Sequence, residues 1–284
     1  MKKTFRLTLD CPDQVGIVTR VGEVISNQNG WILEAAHHSD EESNWFFSRF
    51  EIQADSLTIS ASELAEKLAP LIDKYQMNLK LVDTSVKKKV ILMASKGSHC
   101  LSDLLDRWKS GDLDCEISCV ISNHIDMQGL VEWYAIPFHH VPINTEDKQA
   151  GFNKTESLVD HYQADCIVLA RYMQILPQAL CEKYRHQVIN IHHSFLPSFI
   201  GAKPYHQASR RGVKLIGATC HYVTEQLDEG PIIDQDVVRV NHSDKVEDLV
   251  RLGKDVEKTV LARGLRDHIE DRVLVHGNKT VVFR

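Results

Sequence analysis

The chain has 284 residues, of which 43% are hydrophobic and 25% are charged. These fractions are those of ordinary globular proteins, so they exclude a disordered, collagenous or low-complexity chain. Lys and Arg number 33 against 39 Asp and Glu, a formal net charge of −6. We therefore expect no binding of bulk nucleic acid, which needs a concentrated basic face.

The first 84 residues follow a strand and helix pattern typical of a small α+β domain. Alternating apolar residues predict a strand over 4–9, and apolar side chains at helical spacing predict a helix over 17–25. Two strands joined by a polar turn, a helix and a last strand follow at 31–38, 45–52, 62–74 and 78–83. The order βαββαβ predicts the ferredoxin-like plan.

The pattern changes after residue 84. Residues 85–89 include three consecutive lysines and predict a linker. Continuous apolar runs then recur at 90–94, 117–121, 166–170 and 188–191. Such runs suit strands buried on both faces of a parallel sheet.

Helical stretches lie between these runs, at 101–108, 127–134 and 155–162. Strands and helices in alternation predict a doubly wound, mostly parallel α/β domain. Two strands at 214–223 and 232–240, a helix near 245–269 and a strand near 280–283 complete it. We therefore predict two domains, 1–84 and 90–284, with Trp108 and Trp133 in the core of the second.

The cysteines and the apolar runs bear on location. The seven cysteines are irregularly spaced and form no C-x-x-C pair, which favours reduced thiols in a cytoplasmic protein. No run approaches the ~18 apolar residues of a membrane span, and Arg6, Thr8 and Asp10 interrupt the apolar core that a signal peptide needs. We expect no membrane association.

Three adjacent histidine pairs could suggest a metal site. They are His37-His38, His139-His140 and His192-His193. Neighbouring residues of a strand point to opposite faces, so such a pair is a poor bidentate ligand. No zinc-binding spacing occurs, and we expect no metal.

The end of the predicted strand 188–191 carries polar residues suited to catalysis. Asn190 and His192 share one face because side chains two apart in a strand point the same way. An amide and an imidazole there can stabilise negative charge developing on a carbonyl oxygen. Asp228 precedes a Gly230-Pro231 turn and could hold or shuttle a proton for the histidine. Each residue alone also has a structural explanation, so residue types leave the function open.

The surrounding strings carry a resemblance to a known family. The signature of the folate-dependent formyltransferase family is resembled by Asn190-Ile191-His192, Ser194, Leu196-Pro197, Gly201, His221 and Asp228-x-Gly230-Pro231-Ile232-Ile233. The longer strings 192–208 and 255–258 resemble its hydrolase members, the formyltetrahydrofolate deformylases. Residues 1–84 resemble the ACT module of those hydrolases, through their element order and through Asp13-Gln14-Val15-Gly16-Ile17.

The resemblance implies hydrolysis of 10-formyltetrahydrofolate to formate and tetrahydrofolate, which supplies formate for purine biosynthesis and balances one-carbon pools. It places the catalytic roles on Asn190, His192 and Asp228, with the folate as substrate and no cofactor. It implies that the pterin cleft and its surroundings are formed by Met173, Gln174, Ile175, Leu176, Ser194, Glu225 and Leu227. Gln174 occupies a position that is often basic in the family.

For the first domain, the resemblance implies a regulatory role. Asp13, Gln14 and Gly16 would contact a small effector such as an amino acid, although the same residues suit an ordinary turn. ACT modules pair edge to edge, which implies a homo-oligomer, a dimer of dimers.

Two other functions remain open at this stage. One is formyl transfer to an amine, although the loop after the first strand of the second domain, residues 95–100, has one glycine and the bulky His99 and Cys100. The other is a catalytically inactive amino-acid sensor. The roles of His193 and of Cys100, which is placed near a helix N-terminus where a thiol pKa falls, also remain open.

Overall fold

The computed structural model describes residues 3–198 and 204–284. Part of the family string, Phe199, Ile200, Gly201, Ala202 and Lys203, therefore lies outside the described residues. Contacts divide the chain into two compact units. The first comprises Met1–Lys87, Asp271–His276 and Val281–Arg284, and the second comprises Lys88–Glu270 and Gly277–Thr280.

The first unit contains one antiparallel sheet and two helices, in the predicted order. Its elements are β1 (Thr4–Pro12), α1 (Ile17–Ser26), β2 (Trp31–Asp40), β3 (Trp45–Gln53), α2 (Ala61–Tyr75) and β4 (Asn78–Asp83). The strands lie in the order β2-β3-β1-β4. Alternate residues of β1, such as Leu7 and Leu9, pack with Val21 of α1 and Leu64 of α2 in the core. Helix α2 begins at a capping box formed by Ser60 and Glu63.

The second unit is built on a seven-stranded sheet. Its strands are β5 (Lys89–Ala94), β6 (Glu116–Ser122), β7 (Phe138–His140), β8 (Cys166–Ala170), β9 (Val188–His192), β10 (Leu215–Tyr222) and β11 (Ile232–Arg239). They lie in the order β11-β10-β9-β8-β5-β6-β7. Strands β5 to β9 are parallel, whereas β10 runs antiparallel to both of its neighbours. The sheet is thus mostly parallel, as the apolar runs predict.

Six α-helices accompany this sheet among the residues that the structure describes. They are α3 (His99–Ser110), α4 (Gln128–Trp133), α5 (Lys148–Tyr162), α6 (Gln178–Lys183), α7 (Pro204–Arg211) and α8 (Val246–Ile269). The sequence did not predict β7, α6 or α7, since β7 and α6 are short and α7 is strongly polar. Trp133 is 75% exposed, so its predicted core position is wrong. None of the helices in the described part of the chain is long and apolar enough to cross a membrane.

The chain ends with a small hairpin, β12 (Val273–His276) and β13 (Lys279–Val282). Leu274 and Phe283 cluster with Phe47 of β3, and Asp271 pairs with Lys80 at 3.2 Å. The contacts therefore assign 271–276 and 281–284 to the first unit. This division differs from the predicted domain 90–284, because the pairing of distant segments leaves no local pattern in the sequence.

The strand order reverses between β5 and β8. Strands β5, β6 and β7 follow one another to one side, whereas β8, β9 and β10 follow to the other. In open α/β sheets, ligands bind beyond the carboxyl ends of the strands at such a reversal. The segments after β5, β8 and β9 are therefore where a site is expected.

Candidate active site

A cavity of about 650 Å³ lies within the second unit. Its walls come from the ends of β8 and β9, from the loop between β10 and β11, and from α8. Asn190, His192 and Asp228 all line it. The three predicted catalytic residues, which come from two separate segments, are therefore brought together.

The side chains of these three residues form a connected set. His192 donates from Nδ1 to Oδ2 of Asp228 at 3.1 Å. Asn190 Nδ2 lies 3.2 Å from Nε2 of His221. His192 Nε2 is buried and has no hydrogen-bond partner among the residues that the structure describes. The second N–H of the Asn190 amide and, when it carries a proton, His192 Nε2 can therefore donate to a carbonyl oxygen.

The loop carrying Asp228 is held tightly against the end of β10. A Cβ on Gly230 would lie 1.8 Å from the carbonyl oxygen of Tyr222, so only glycine permits this approach. Asp228 itself has φ +59°, a left-handed conformation that few residues other than glycine adopt. Local strain of this kind is often retained at functional sites.

The electrostatics favour an ionised Asp228. Burial opposes the charge, but the hydrogen bond from His192 outweighs it and lowers the pKa of Asp228 below its usual value. A fixed negative charge therefore lies beside His192.

His221 is a member of the site that the sequence placed only within the family signature. Its Nδ1 lies 2.9 Å from the carbonyl oxygen of Tyr222, which can only accept a hydrogen bond. Its Nε2 accepts from the Asn190 amide, so the ring is the neutral Nδ1–H tautomer. Burial lowers the pKa of His221, in agreement with a neutral ring. His221 therefore orients the Asn190 amide.

A second part of the cavity is an apolar cleft. Met173, Ile175 and Leu227 line it and are 60%, 68% and 55% exposed, which is unusual for large apolar side chains. The predicted contacts Gln174, Leu176 and Glu225 also line the cavity. The backbone here is fixed, since Met173 N donates to Ser95 Oγ at 3.0 Å and Ser95 Oγ donates to Asn123 at 2.6 Å.

Ser194 differs from the prediction. It is not among the described residues that line this cavity. Its hydroxyl donates to the carbonyl oxygen of Ser198 at 2.7 Å, and its own carbonyl oxygen accepts from Thr219 at 2.8 Å. Ser194 lies two residues after His192, a spacing that puts both side chains on one face of an extended strand. Its hydroxyl nevertheless bonds within its own loop.

The cavity also contains a polar group that the sequence did not predict. We call it the Glu257 cluster, and it comprises His99, Arg171, His193, Tyr205 and Glu257. Glu257 accepts from His99 at 2.7 Å and from Tyr205 at 2.6 Å, and Arg171 Nε lies 3.5 Å from it. Arg171 also contacts His193, whose ring stacks on His192 with centroids 5.1 Å apart. The only sequence signals were the two family strings, 192–208 with His193 and Tyr205 and 255–258 with Glu257.

Among the described residues, one group has metal-ligand geometry. Potential ligand atoms of His99, Cys100 and Glu257 lie within 4.8 Å of one another. However, Glu257 already accepts from His99 and Tyr205, and the Arg171 cation beside it disfavours a second cation. Burial raises the pKa of the Cys100 thiol, contrary to the lowering expected at a helix N-terminus, so a thiolate ligand or nucleophile is disfavoured there.

The predicted effector residues lie together in the first unit. Asp13, Gln14 and Gly16 form the turn between β1 and α1, where Gly16 has φ +95°. Asp13 N donates to the carbonyl oxygen of Asn44 at 3.0 Å, and Gln14 is exposed. The turn is thus fixed by its backbone and leaves Gln14 accessible.

Comparison with known proteins finds relatives that match nearly the whole chain. The formyl transferase family model matches residues 88–265. A formyltetrahydrofolate deformylase of Synechocystis is 46% identical over 280 residues, which cover 99% of this chain and 98% of the relative.

Solved structures of known proteins are also similar to this chain. The crystal structure of a formyltetrahydrofolate deformylase from Pseudomonas syringae pv. tomato is similar with a TM-score of 0.99 and 62% identity, covering 100% of this chain and 95% of that one. The glycinamide ribonucleotide transformylase 1 of Symbiobacterium toebii is similar over 70% of this chain and 95% of its own, with a TM-score of 0.65 and 28% identity.

Proposed function

This chain belongs to the formyltetrahydrofolate deformylase family, and from that membership we propose that it hydrolyses 10-formyltetrahydrofolate to formate and tetrahydrofolate. The observation that supports this most is the convergence of Asn190, His192 and Asp228 in one cavity beside an apolar cleft. The combination offers donors for a formyl oxygen and an apolar surface for a flat ring system.

The proposed reaction begins with the formyl group beside Asn190 and His192. Water attacks the formyl carbon, and the tetrahedral intermediate places negative charge on the formyl oxygen. The Asn190 amide and a His192 that carries a proton on Nε2 donate hydrogen bonds to this oxygen. Asp228, ionised and bonded to His192 Nδ1, receives or relays the proton of the attacking water and helps to protonate N10 as it leaves.

The apolar cleft is the proposed pterin site. Met173, Ile175 and Leu227 expose apolar surface that a ring would cover, while Gln174, Leu176 and Glu225 complete its edges. Ser194 is omitted from the proposed contacts because its hydroxyl is occupied within its own loop. The proposal requires no metal and no cofactor.

The test is the release of formate without an acceptor. The protein is mixed with 10-formyltetrahydrofolate in the absence of any amine and in the presence of EDTA, and formate and tetrahydrofolate are measured. Stoichiometric formation of both is expected. No release of formate above the rate of spontaneous hydrolysis would contradict the proposal.

Formyl transfer is the second candidate, since the second unit is similar to a glycinamide ribonucleotide transformylase. The loop after β5 argues against a phosphorylated acceptor, because His99 is bonded to Glu257 and Cys100 is buried. Product formed only when an amine is added would favour the transferase. Amino-acid binding without any folate turnover would favour the third reading, an inactive sensor.

We further propose that the first unit is an ACT regulatory domain that binds a small effector at Asp13, Gln14 and Gly16 and mediates assembly into a dimer of dimers. The antiparallel βαββαβ topology supports this, as does the edge strand β2, which exposes Trp31 (67%) and Leu33 (48%). The first part, effector binding, is tested by thermal shifts of the protein across a panel of amino acids. The second part, assembly, is tested by sedimentation equilibrium. The absence of any shift would contradict the first, and a monomer would contradict the second.

The cellular role follows from the reaction. We propose a cytoplasmic enzyme that supplies formate for purine biosynthesis and balances one-carbon pools. The seven cysteines support a reducing location, since none of them forms a disulfide and all are buried. If deletion of the gene left growth unchanged in a medium that lacks formate and purines, the purine role would be contradicted.

A further inference from the structure

The proposed mechanism assigns no role to the Glu257 cluster. It is nevertheless part of the cavity wall, since His99, Arg171, His193, Tyr205 and Glu257 all line the cavity. Buried polar side chains are costly unless their hydrogen bonds are satisfied. A buried carboxylate with three polar partners beside a reaction centre therefore calls for an explanation.

The cluster is maintained against local strain. Arg171 has φ +63°, a conformation in which glycine would be relaxed and a long side chain is not. Gly253 of α8 leaves the room that the Tyr205 ring needs, since a Cβ there would lie 2.0 Å from the Tyr205 hydroxyl. Both Arg171 and Tyr205 are thus held in place to reach Glu257.

The carboxylate of the cluster is ionised and has three polar partners. Burial disfavours the Glu257 carboxylate, but His99, Arg171 and Tyr205 together lower its pKa, so it is ionised. Both oxygens already accept hydrogen bonds from side chains, Oε2 from His99 and Oε1 from Tyr205. Glu257 therefore has little capacity left to bind the N–H groups or hydroxyls of an incoming acceptor.

Arg171 also fixes the state of His193. A guanidinium can only donate, so the His193 Nδ1 that it contacts is unprotonated and the proton resides on Nε2. Burial and the Arg171 charge lower the pKa of His193 to about 4, in agreement with a neutral ring. The Nε2–H has no hydrogen-bond partner among the described side chains and backbone. This ring lies against His192 in a nearly parallel stack, with 18° between the planes.

We propose that the Glu257 cluster restricts the nucleophile to water, with His193 Nε2–H as the positioning group that orients it; this rests on the proposed function. The pterin cleft holds the leaving amine and Asn190 and His192 hold the formyl oxygen, so the cluster lines the space left for the nucleophile. Water is small and can accept one hydrogen bond from His193. An amine brings further atoms and N–H donors, for which Glu257, already bonded to His99 and Tyr205, is a poor acceptor.

Both reactions break the same bond. In hydrolysis the water oxygen bonds to the formyl carbon, the carbon–N10 bond breaks, one water proton passes to N10 and formate leaves. With an amine, its nitrogen bonds to the formyl carbon, the same bond breaks and one amine proton passes to N10. The ratio of formylated amine to formate therefore measures the selectivity directly.

The experiment uses 10-formyltetrahydrofolate with excess hydroxylamine, which is neutral at pH 7, and measures N-formylhydroxylamine and formate. Arg171→Gly opens the cluster and relaxes the backbone at φ +63°, so the variant is expected to fold. Gln163→Gly is the matched control, because Gln163 has φ +52° and does not line the cavity. Tyr205→Phe removes one hydrogen bond and is the milder variant.

We expect the product ratio to rise at least tenfold in Arg171→Gly and about threefold in Tyr205→Phe, and to stay at the wild-type value in Gln163→Gly. A ratio within twofold of wild type in both cluster variants would overturn the inference. So would loss of formate release without any gain of formylated amine. A wild-type protein that releases no formate in the absence of amine would instead refute the proposed function, independently of these ratios.

Discussion

At the scale of single residues, the partner of each histidine determines its chemical state. His192 donates to a carboxylate, His221 donates to a carbonyl oxygen, and His193 accepts from a guanidinium. The Nε2 atoms of the three imidazoles therefore differ in state: that of His192 is unbonded among the described residues, that of His221 accepts from Asn190, and that of His193 carries a proton. Of the three, His192 makes the shortest contact with the Asp228 carboxylate.

The catalytic assignment predicts large losses of turnover. Asn190→Ala removes one donor to the developing oxyanion, which typically costs about 3–4 kcal/mol, or ~10²–10³ in rate. His192→Ala and Asp228→Asn should lose at least as much, because they remove the second donor and its partner. Steady-state kcat for formate release measures the effect, with Asn153→Ala on the exposed face of α5 as control.

The assignment would be wrong if Asn190→Ala, His192→Ala and Asp228→Asn all retained turnover within about twofold of the wild-type protein.

The half-buried, neutral His193 predicts a stability that depends on pH. Its pKa is lowered in the folded state to about 4, from an ordinary 6.5, so the unfolded chain binds more protons between these values. Stability therefore rises with pH from about 4 to 6.5. In His193→Asn, this rise in melting temperature should be smaller than in wild type, whereas in the exposed His242→Asn it should be unchanged. Equal slopes in wild type and His193→Asn would contradict the prediction.

At the scale of elements, the site depends on where strands and helices end. The alternation of β9 places Asn190 and His192 on one face, and the loop after β10 brings Asp228 to them. Helix α8 contributes Glu257 and, one turn earlier, the Gly253 that accommodates Tyr205 of α7. Continuous apolar runs predicted the parallel strands well. The polar α7 has no apolar period, so sequence alone gave no sign of it.

The contact between α7 and α8 predicts an unusual response to alanine. Gly→Ala within a helix normally stabilises a protein by up to about 1 kcal/mol. Gly253→Ala should instead destabilise it by about 1–3 kcal/mol, because the new methyl group overlaps the Tyr205 ring. Gly129→Ala in α4 is the matched control, since nothing lies within 4 Å of its added Cβ. Denaturant unfolding measures both.

A Gly253→Ala protein as stable as the Gly129→Ala protein would show that Tyr205 can move at no cost.

At the scale of the whole molecule, the chain forms two units, and the first is completed by the C-terminal residues. Phe283 and Leu274 pack against Phe47, and Arg272 Nη1 donates to the carbonyl oxygen of Phe283 at 3.1 Å. Residues that follow the catalytic segment in the chain therefore cover part of one face of the N-terminal sheet.

This arrangement predicts that a C-terminal substitution destabilises the first unit. Phe283→Ala should cost about 3–5 kcal/mol, the usual range for a buried phenylalanine. Val282→Ala, next to it on the chain but outside the cluster, should cost clearly less. Hydrogen exchange of the β1 and β3 amides in the full-length protein reports on this unit directly. Equal protection of these amides in both variants would contradict the prediction.

The sequence by itself predicted the strands other than β7 and β12, the two-part organisation and the shared face of Asn190 and His192, because these follow from local periodicity. Its strings also indicated the family. The tertiary structure decided which side chains meet: Asp228 with His192, Arg171 and Tyr205 with Glu257, and the C-terminal strand with Phe47. It also turned Ser194 away from the cavity. Periodicity specifies which face a residue occupies, whereas contacts between distant segments depend on how those faces pack.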